Sequence, residues 1–420
     1  MRALLFSIGT RGDAEPFLAL AELLKDHGWE VICVFPEQFR SMVQETGIAF
    51  HGFDKRFLEL LASNTGKTLM GGSGGFINKI NALLRLGRDS WKLQSTLIET
   101  QKVLIQKYAP DKVFFHPKCV YPILMETVHP GTNILVCPIP CIVHKVNEYT
   151  TMGIKGNGNY GMLLNSFSYW ATNWIRTVVF FRMAKKQRKD LTSHPSLRDL
   201  YQTLVHKTKT LYTISPSLFP RPQYWSNHLY VTGFLTRKRS LNWHPEENLL
   251  HFLSNHEKIL FVSFGSMTNR EPEAKTNAIL NVLRKHKIPA IINTSWGGLT
   301  ATENCNHHLI FVDNIPYEWV FPRVYAVVHH GGSGTTHEAC KHGCPSLIIP
   351  HIVDQFFWNK RIASLGLGPQ GVPINKLSEK TLSPLLLDLW QNKKYRENAR
   401  VISQKMAQEG QPESILGLVS

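Results

Sequence analysis

The sequence predicts an α/β protein made of two doubly wound, Rossmann-like domains, and three observations carry that expectation. At 420 residues, with 43% hydrophobic and 19% charged residues, the chain has globular composition and is long for one core. It opens as strand, loop, helix, strand over residues 2–35, the first βαβ unit of a parallel sheet. Much later, the order strand, glycine loop, helix start recurs over residues 325–341.

Taken in order, Arg2–Ile8 is a compact apolar strand and Gly9-Thr10-Arg11-Gly12-Asp13 a loop. Ala14–His27 is periodic up to Gly28, and Val31–Phe35 is the second strand. Ligands of such sheets bind outside the carboxyl ends of the strands, where residues 9–13 lie. The loop reads GxxG, not GxGxxG, so a nicotinamide dinucleotide is a poor guest. Asp13 by itself suits a helix N-cap, with Pro16 in the first turn. Ser63–Thr68 imitates the end of a P-loop but lacks its leading glycine, and the run Gly71–Gly75 reads as a hinge or lid.

Val113–Phe115 and Asn133–Val136 are further strands. His116 follows the first of them and is either a cleft-lining residue or a turn histidine before Pro117. Residues 160–190 carry Phe167, Trp170 and Trp174, then a basic end, with too many polar interruptions to span a bilayer. This segment is either a helix packed on the sheet with a solvated basic end or an interfacial helix at a membrane surface. In both cases Trp170 and Trp174 are candidates to line an acceptor site.

A polar, weakly periodic stretch at Phe234–Asn248 marks the domain boundary, giving residues 1–235 and 236–395, with 396–420 a terminal helix that packs back on the first domain. Ile259–Phe264 is a strand ending in Gly265-Ser266, and Ile291-Ile292 ends another before Ser295-Trp296-Gly297-Gly298. Strand Tyr325–Val328 then breaks into His329-His330-Gly331-Gly332-Ser333-Gly334-Thr335-Thr336, with a helix from Thr335 to Lys341. Glycines let the backbone approach a ligand closely, and the first-turn N–H groups favour an anion. A phosphate fits, with His330 as donor, hydroxyls on Ser333, Thr335 and Thr336, and Glu338 placed for ribose hydroxyls. After strand Ser346–Ile349, Asp354-Gln355 offers a carboxylate and an amide to a sugar.

The formal charge of +16 favours an anionic partner, and no zinc finger, RNP motif or basic recognition helix argues for nucleic acid. Seven cysteines without a CxxC pair read as reduced thiols, and Cys340, His342 and Cys344 meet no metal-ligand spacing. The apolar opening is too short for a signal sequence, so the expectation is a cytoplasmic protein, at the inner face of a membrane if the 160–190 segment docks there.

HHGGSGT at 329–335, Asp354-Gln355, FGSM at 264–267 and GTRGDAEPFLALA at 9–21 together resemble the nucleotide-sugar-dependent glycosyltransferases of the bacterial antibiotic and sterol glucosyltransferase type. The resemblance implies the GT-B fold, two Rossmann-like domains facing across a cleft. It also implies Asp13 as general base, and a donor site formed by Ser266, His330, Gly332, Ser333, Gly334, Thr335, Glu338, Asp354 and Gln355. Arg11 and Trp296 are secondary donor candidates. Plant members of the wider superfamily stack the base on a Trp eighteen residues before the phosphate-binding His, and that position here is Val312. The activity implied is inverting, metal-independent transfer of a hexose, glucose by preference, from a UDP-sugar (or a dTDP-sugar) to a hydroxyl of a lipophilic or aromatic acceptor, with no further cofactor. A sugar-nucleotide epimerase of the same architecture and a non-catalytic carrier of an anionic ligand are the alternatives.

Overall fold

The computed structural model describes residues 1–420 except 54–92, 153, 155–157, 192, 239–242, 266, 268, 270, 295–297, 302–306 and 420. The P-loop-like stretch, the Gly71–Gly75 run, Ser266 and Trp296 therefore lie outside the described residues. The chain divides into two units: Met1–Ile214 with Pro220–Lys238 and Gly410–Ser420, and Ser215–Phe219 with Arg239–Glu409.

The first unit is built on a seven-stranded sheet in the order β3-β2-β1-β4-β5-β6-β7. These are β1 Arg2–Phe6, β2 Glu30–Pro36, β3 Ala49–Phe53, β4 Lys112–Phe115, β5 Asn133–Cys137, β6 Thr210–Tyr212 and β7 Leu229–Val231. Every pairing is parallel. Parallel strands are covered on both faces, which explains why β1 and β5 read as continuous apolar runs and are buried almost throughout. The helix Arg11–Asp26 covers one face with Ala14, Phe17, Leu18, Ala21 and Leu24. Its start lies at Arg11, three residues before the periodicity places it. Thr10 is the N-cap and Asp13, as the third helical residue, returns a bond to it, so polar capping extends the helix beyond its apolar pattern. The last helix, Pro412–Val419, adds Ile415 and Val419 to this same core.

The second unit carries a five-stranded parallel sheet, β10-β9-β8-β11-β12. Its strands are β8 Leu260–Ser263, β9 Ala290–Asn293, β10 Leu309–Val312, β11 Ala326–His329 and β12 Ser346–Ile348. Helices Pro272–Lys285 and Glu379–Gln391 bury Ile279, Leu280, Leu283, Leu382 and Leu386 against it.

Both sheets wind outward in two directions from a central pair, β1 and β4 in one, β8 and β11 in the other. At such a crossover the loops leaving adjacent strands diverge to opposite faces and open a crevice at the carboxyl ends. That topology selects Ser7–Asp13 and His116 in the first unit, and Gly265 and His330–Gly332 in the second.

Candidate functional site

At the β1/β4 crossover the register pairs Phe6 with Phe115, so the residues just beyond the two strands are neighbours. The His116 N–H donates to the Phe6 carbonyl, at 2.9 Å. Its ring is buried, with Nε2 3.1 Å from Asp13 Oδ1, while Nδ1 accepts from the Lys118 N–H at 3.2 Å. Those two bonds define the tautomer: the proton sits on Nε2 and points at the carboxylate. Asp13 Oδ2 accepts from the Thr10 N–H at 2.8 Å, and Lys118 Nζ stands 3.5 Å away. Burial raises the Asp13 pKa, but the Lys118 ammonium, the His116 bond and the Thr10 N–H outweigh it and hold the carboxyl below the usual carboxylate range. Burial, reinforced by Lys118, pushes His116 down, so the pair is a neutral imidazole on an ionised carboxylate. His116 thus contacts Asp13 directly; nothing in the residues near either position signals that pairing beyond their both following strand ends.

Gly9 sits against this group at φ +148°, and a Cβ there would lie 2.9 Å from Lys118 Nζ and closer still to the Asp13 carboxylate. Arg11 turns outward into an ion pair with Glu15 at 2.9 Å.

In the second unit, β8 and β11 pair Ser263 with His329, which brings Gly265 beside His330. The His330 ring lies between two glycines: a Cβ on Gly265 would fall 2.7 Å from its Cε1, and one on Gly332 2.5 Å from its Nε2. His330 is 7% exposed, and its Nδ1 is buried with no hydrogen-bond partner among the described residues. Burial, then the neighbouring His329 and His351, push its pKa well below the ordinary histidine value, so the ring is neutral. His329 is fully buried, its Nδ1 accepting from the Gly331 N–H at 3.1 Å, and burial pushes it down to about 3.

Immediately after, the helix Ser333–Lys341 begins with Gly332 as an N-cap that has no side chain. It starts two residues earlier than the loop-like Ser333 and Gly334 suggest, because Thr336 already bonds to the Gly332 carbonyl, at 2.9 Å. The N–H groups of Ser333, Gly334 and Thr335 thus precede the first intrahelical bond, at the positive end of the helix dipole. Gly334 has open space where a side chain would stand. His337 locks the helix in place: its Nδ1–H donates to the Ser333 carbonyl at 2.7 Å, and Nε2 accepts from the Ser215 N–H at 3.0 Å. Glu338, one turn on, is 3.1 Å from His342 Nε2.

Gln355 is buried, and its Oε1 accepts from the His351 and Ile352 N–H groups at 2.7 and 3.1 Å. It closes the 351–355 loop, in which Val353 holds φ +33°, an unusual backbone for a β-branched residue, and Asp354 is half-buried. Trp170 and Trp174 lie on the helix Met162–Met183, exposed and stacked at 6.5 Å. Among the described residues no group of three or more His, Cys, Asp or Glu is arranged to hold a metal ion.

Two all-parallel sheets, each with its polar residues gathered at the crossover, define the GT-B fold. Solved structures agree over the whole chain: the glycotransferase of kitacinnamycin at TM-score 0.73 and 13% identity, covering 100% of this chain and 99% of that one, and the glycosyltransferase VinC in complex with dTDP at 0.65 and 15%, covering 100% and 98%. Residues 3–109 match the glycosyltransferase family 28 N-terminal domain, and residues 289–419 the C-terminal domain of erythromycin biosynthesis protein CIII-like proteins. Two sterol 3-beta-glucosyltransferases of Arabidopsis thaliana are 27% and 30% identical over 97% and 90% of this chain. The chain spans 63% and 61% of the length of those two relatives.

Proposed function

We propose that the protein is a glycosyltransferase that moves a hexose, glucose in the first instance, from UDP to the hydroxyl of a lipophilic alcohol of the sterol kind. The observation that carries this reading is the neutral His330 ring, set between Gly265 and Gly332 with a buried nitrogen that has no partner among the described residues, directly before a helix whose N-cap, Gly332, has no side chain. A buried ring nitrogen without a partner is costly, and a diphosphate would offer acceptors to the ring and to the first-turn N–H groups of Gly334 and Thr335 together. These donors gain most when the diphosphate leaves and its charge grows, which is where transition-state stabilisation is drawn. Charge neutralisation of this kind requires no metal.

Asp13 takes the proton from the acceptor hydroxyl as it attacks the anomeric carbon opposite the departing nucleotide, inverting that centre. His116 is its positioning residue, holding one carboxylate oxygen while Thr10 holds the other. Glu338 engages ribose and Asp354 the sugar; Gln355 supports the Asp354 loop from behind. The same loop would accept dTDP in place of UDP.

Titration calorimetry of UDP, dTDP and UDP-glucose against the wild type, His330→Ala and Glu338→Ala tests the donor half, and transfer to a 3β-hydroxysterol by wild type and Asp13→Asn tests the other. Donor binding weakened in the first two variants, with transfer lost but binding retained in Asp13→Asn, is the expected result. Failure of every nucleotide to bind, or release of an isomeric nucleotide sugar without acceptor, overturns it.

A further inference from the structure

The helix Met162–Met183 is amphipathic in the reverse sense. Its buried positions are polar and saturated. Asn165 Nδ2 donates to the Asn147 carbonyl at 2.7 Å, Asn173 Nδ2 to that of Val143 at 2.7 Å, and Arg176 to that of Ile142 at 3.0 Å. Ser168 accepts from the Thr151 N–H at 3.0 Å, and Thr177 donates to Asn173 O at 2.7 Å. The opposite face is apolar and exposed: Leu163 81%, Leu164 62%, Phe167 60%, Trp170 51%, Trp174 38% and Ile175 63%. Rolling the helix to hide those side chains would strip Asn165, Ser168, Asn173 and Arg176 of the partners they have outside it, at the cost of a buried unsatisfied group each. The apolar face is thus anchored outward by the hydrogen bonds behind it.

That face carries its own charge. It runs into Arg182, Lys185, Lys186 and Lys189, all exposed, while two acidic neighbours are engaged, Asp190 with Lys102 at 2.6 Å and Glu99 with Gln187 at 2.8 Å. The stripe is contiguous, Phe167, Trp170 and Trp174 touching in sequence at 5.6 and 6.5 Å. No helix among the described residues is long and apolar enough to cross a membrane. Tryptophans flanked by lysines and arginines suit the headgroup boundary, where an indole is half in hydrocarbon and a cation meets lipid phosphate.

We propose that this face docks the protein on an anionic bilayer surface, the helix lying in the plane of the headgroups. The docking does not depend on the transferase reading, and it is measured without turnover.

The full chain is sedimented with vesicles of phosphatidylcholine alone and of phosphatidylcholine with phosphatidylserine, alongside Phe167→Ser/Trp170→Ser/Trp174→Ser and Lys185→Gln/Lys186→Gln/Lys189→Gln. All six positions are exposed, and unchanged circular-dichroism melts check that each variant folds. The wild type binds the anionic vesicles and is released by salt. Removing three charges weakens partitioning on the order of a hundredfold, and the aromatic variant loses it by at least about tenfold. Brominated lipid quenches wild-type tryptophan emission more than that of the aromatic variant. No vesicle binding, equal binding by all three proteins, or a self-association that the aromatic variant alone abolishes overturns the proposal, the last by making the face an interface between copies.

Discussion

The ring of His330 has a glycine on each side, and Gly332→Ala probes what that arrangement does. Gly332 has φ −60° and ψ 144°, comfortable for alanine, so the backbone resists nothing. The new Cβ would sit 2.5 Å from His330 Nε2, closer than such contacts occur, and Gly265 blocks retreat on the other side. The ring must leave its place. If it donates to the diphosphate, its displacement removes a hydrogen bond to a charged group, about 1.5–3 kcal/mol. In UDP affinity that is roughly a 10- to 150-fold rise in Kd. Alanine at an N-cap costs about 1 kcal/mol of stability whatever the ring does, so the assay is calorimetric affinity, not melting temperature. The decisive arm is a double-mutant cycle with His330→Ala. Without the ring, Gly332→Ala should cost almost nothing further, giving a coupling of about 1.5–3 kcal/mol. Additive losses would refute the reasoning, because the alanine would then be acting on the helix start and not through His330.

Two other outcomes follow from the charges. Lys118→Met removes the strongest influence lowering the Asp13 pKa, so the acid limb of kcat/KM should move to higher pH, toward ordinary carboxylate values, while UDP affinity stays unchanged; an unmoved limb would separate Lys118 from the base. Burial pushes His337 and His351 down to about 4 and His329 to about 3, so the unfolded chain takes up protons that the folded one refuses, and stability is complete above pH 6.5 and falls below it. At pH 5.5 each costs on the order of 1 kcal/mol, and the three together a few kcal/mol. Urea unfolding followed from pH 7.5 to 5.5 should show this loss, reduced in His351→Asn; a flat profile would contradict it.

Local chemistry was readable where it was self-contained. The strand, glycine loop and helix around His330 lie within residues 325–341, and the periodicity and turn chemistry of that stretch reveal it. The pairing of Asp13 with His116 was not readable, because it exists only through the β1/β4 crossover, and nothing near either residue names the other. Helix Met162–Met183 shows a third limit. Its apolar positions repeat at helical spacing, but spacing cannot say which face is buried, and the usual assumption of apolar inward fails here. The signal lay in the other face, where Asn165, Ser168, Asn173 and Arg176 fall at helical spacing and have loop carbonyls or N–H groups to bind.

The first unit takes its last core residues, Ile415 and Val419, from the far end of the chain, after the second unit has been threaded through. Vectorial synthesis therefore cannot complete the unit that is made first. While the ribosome builds the second sheet, the seven-stranded sheet waits with the seat of its closing helix open, and the unit begun first is the one finished last.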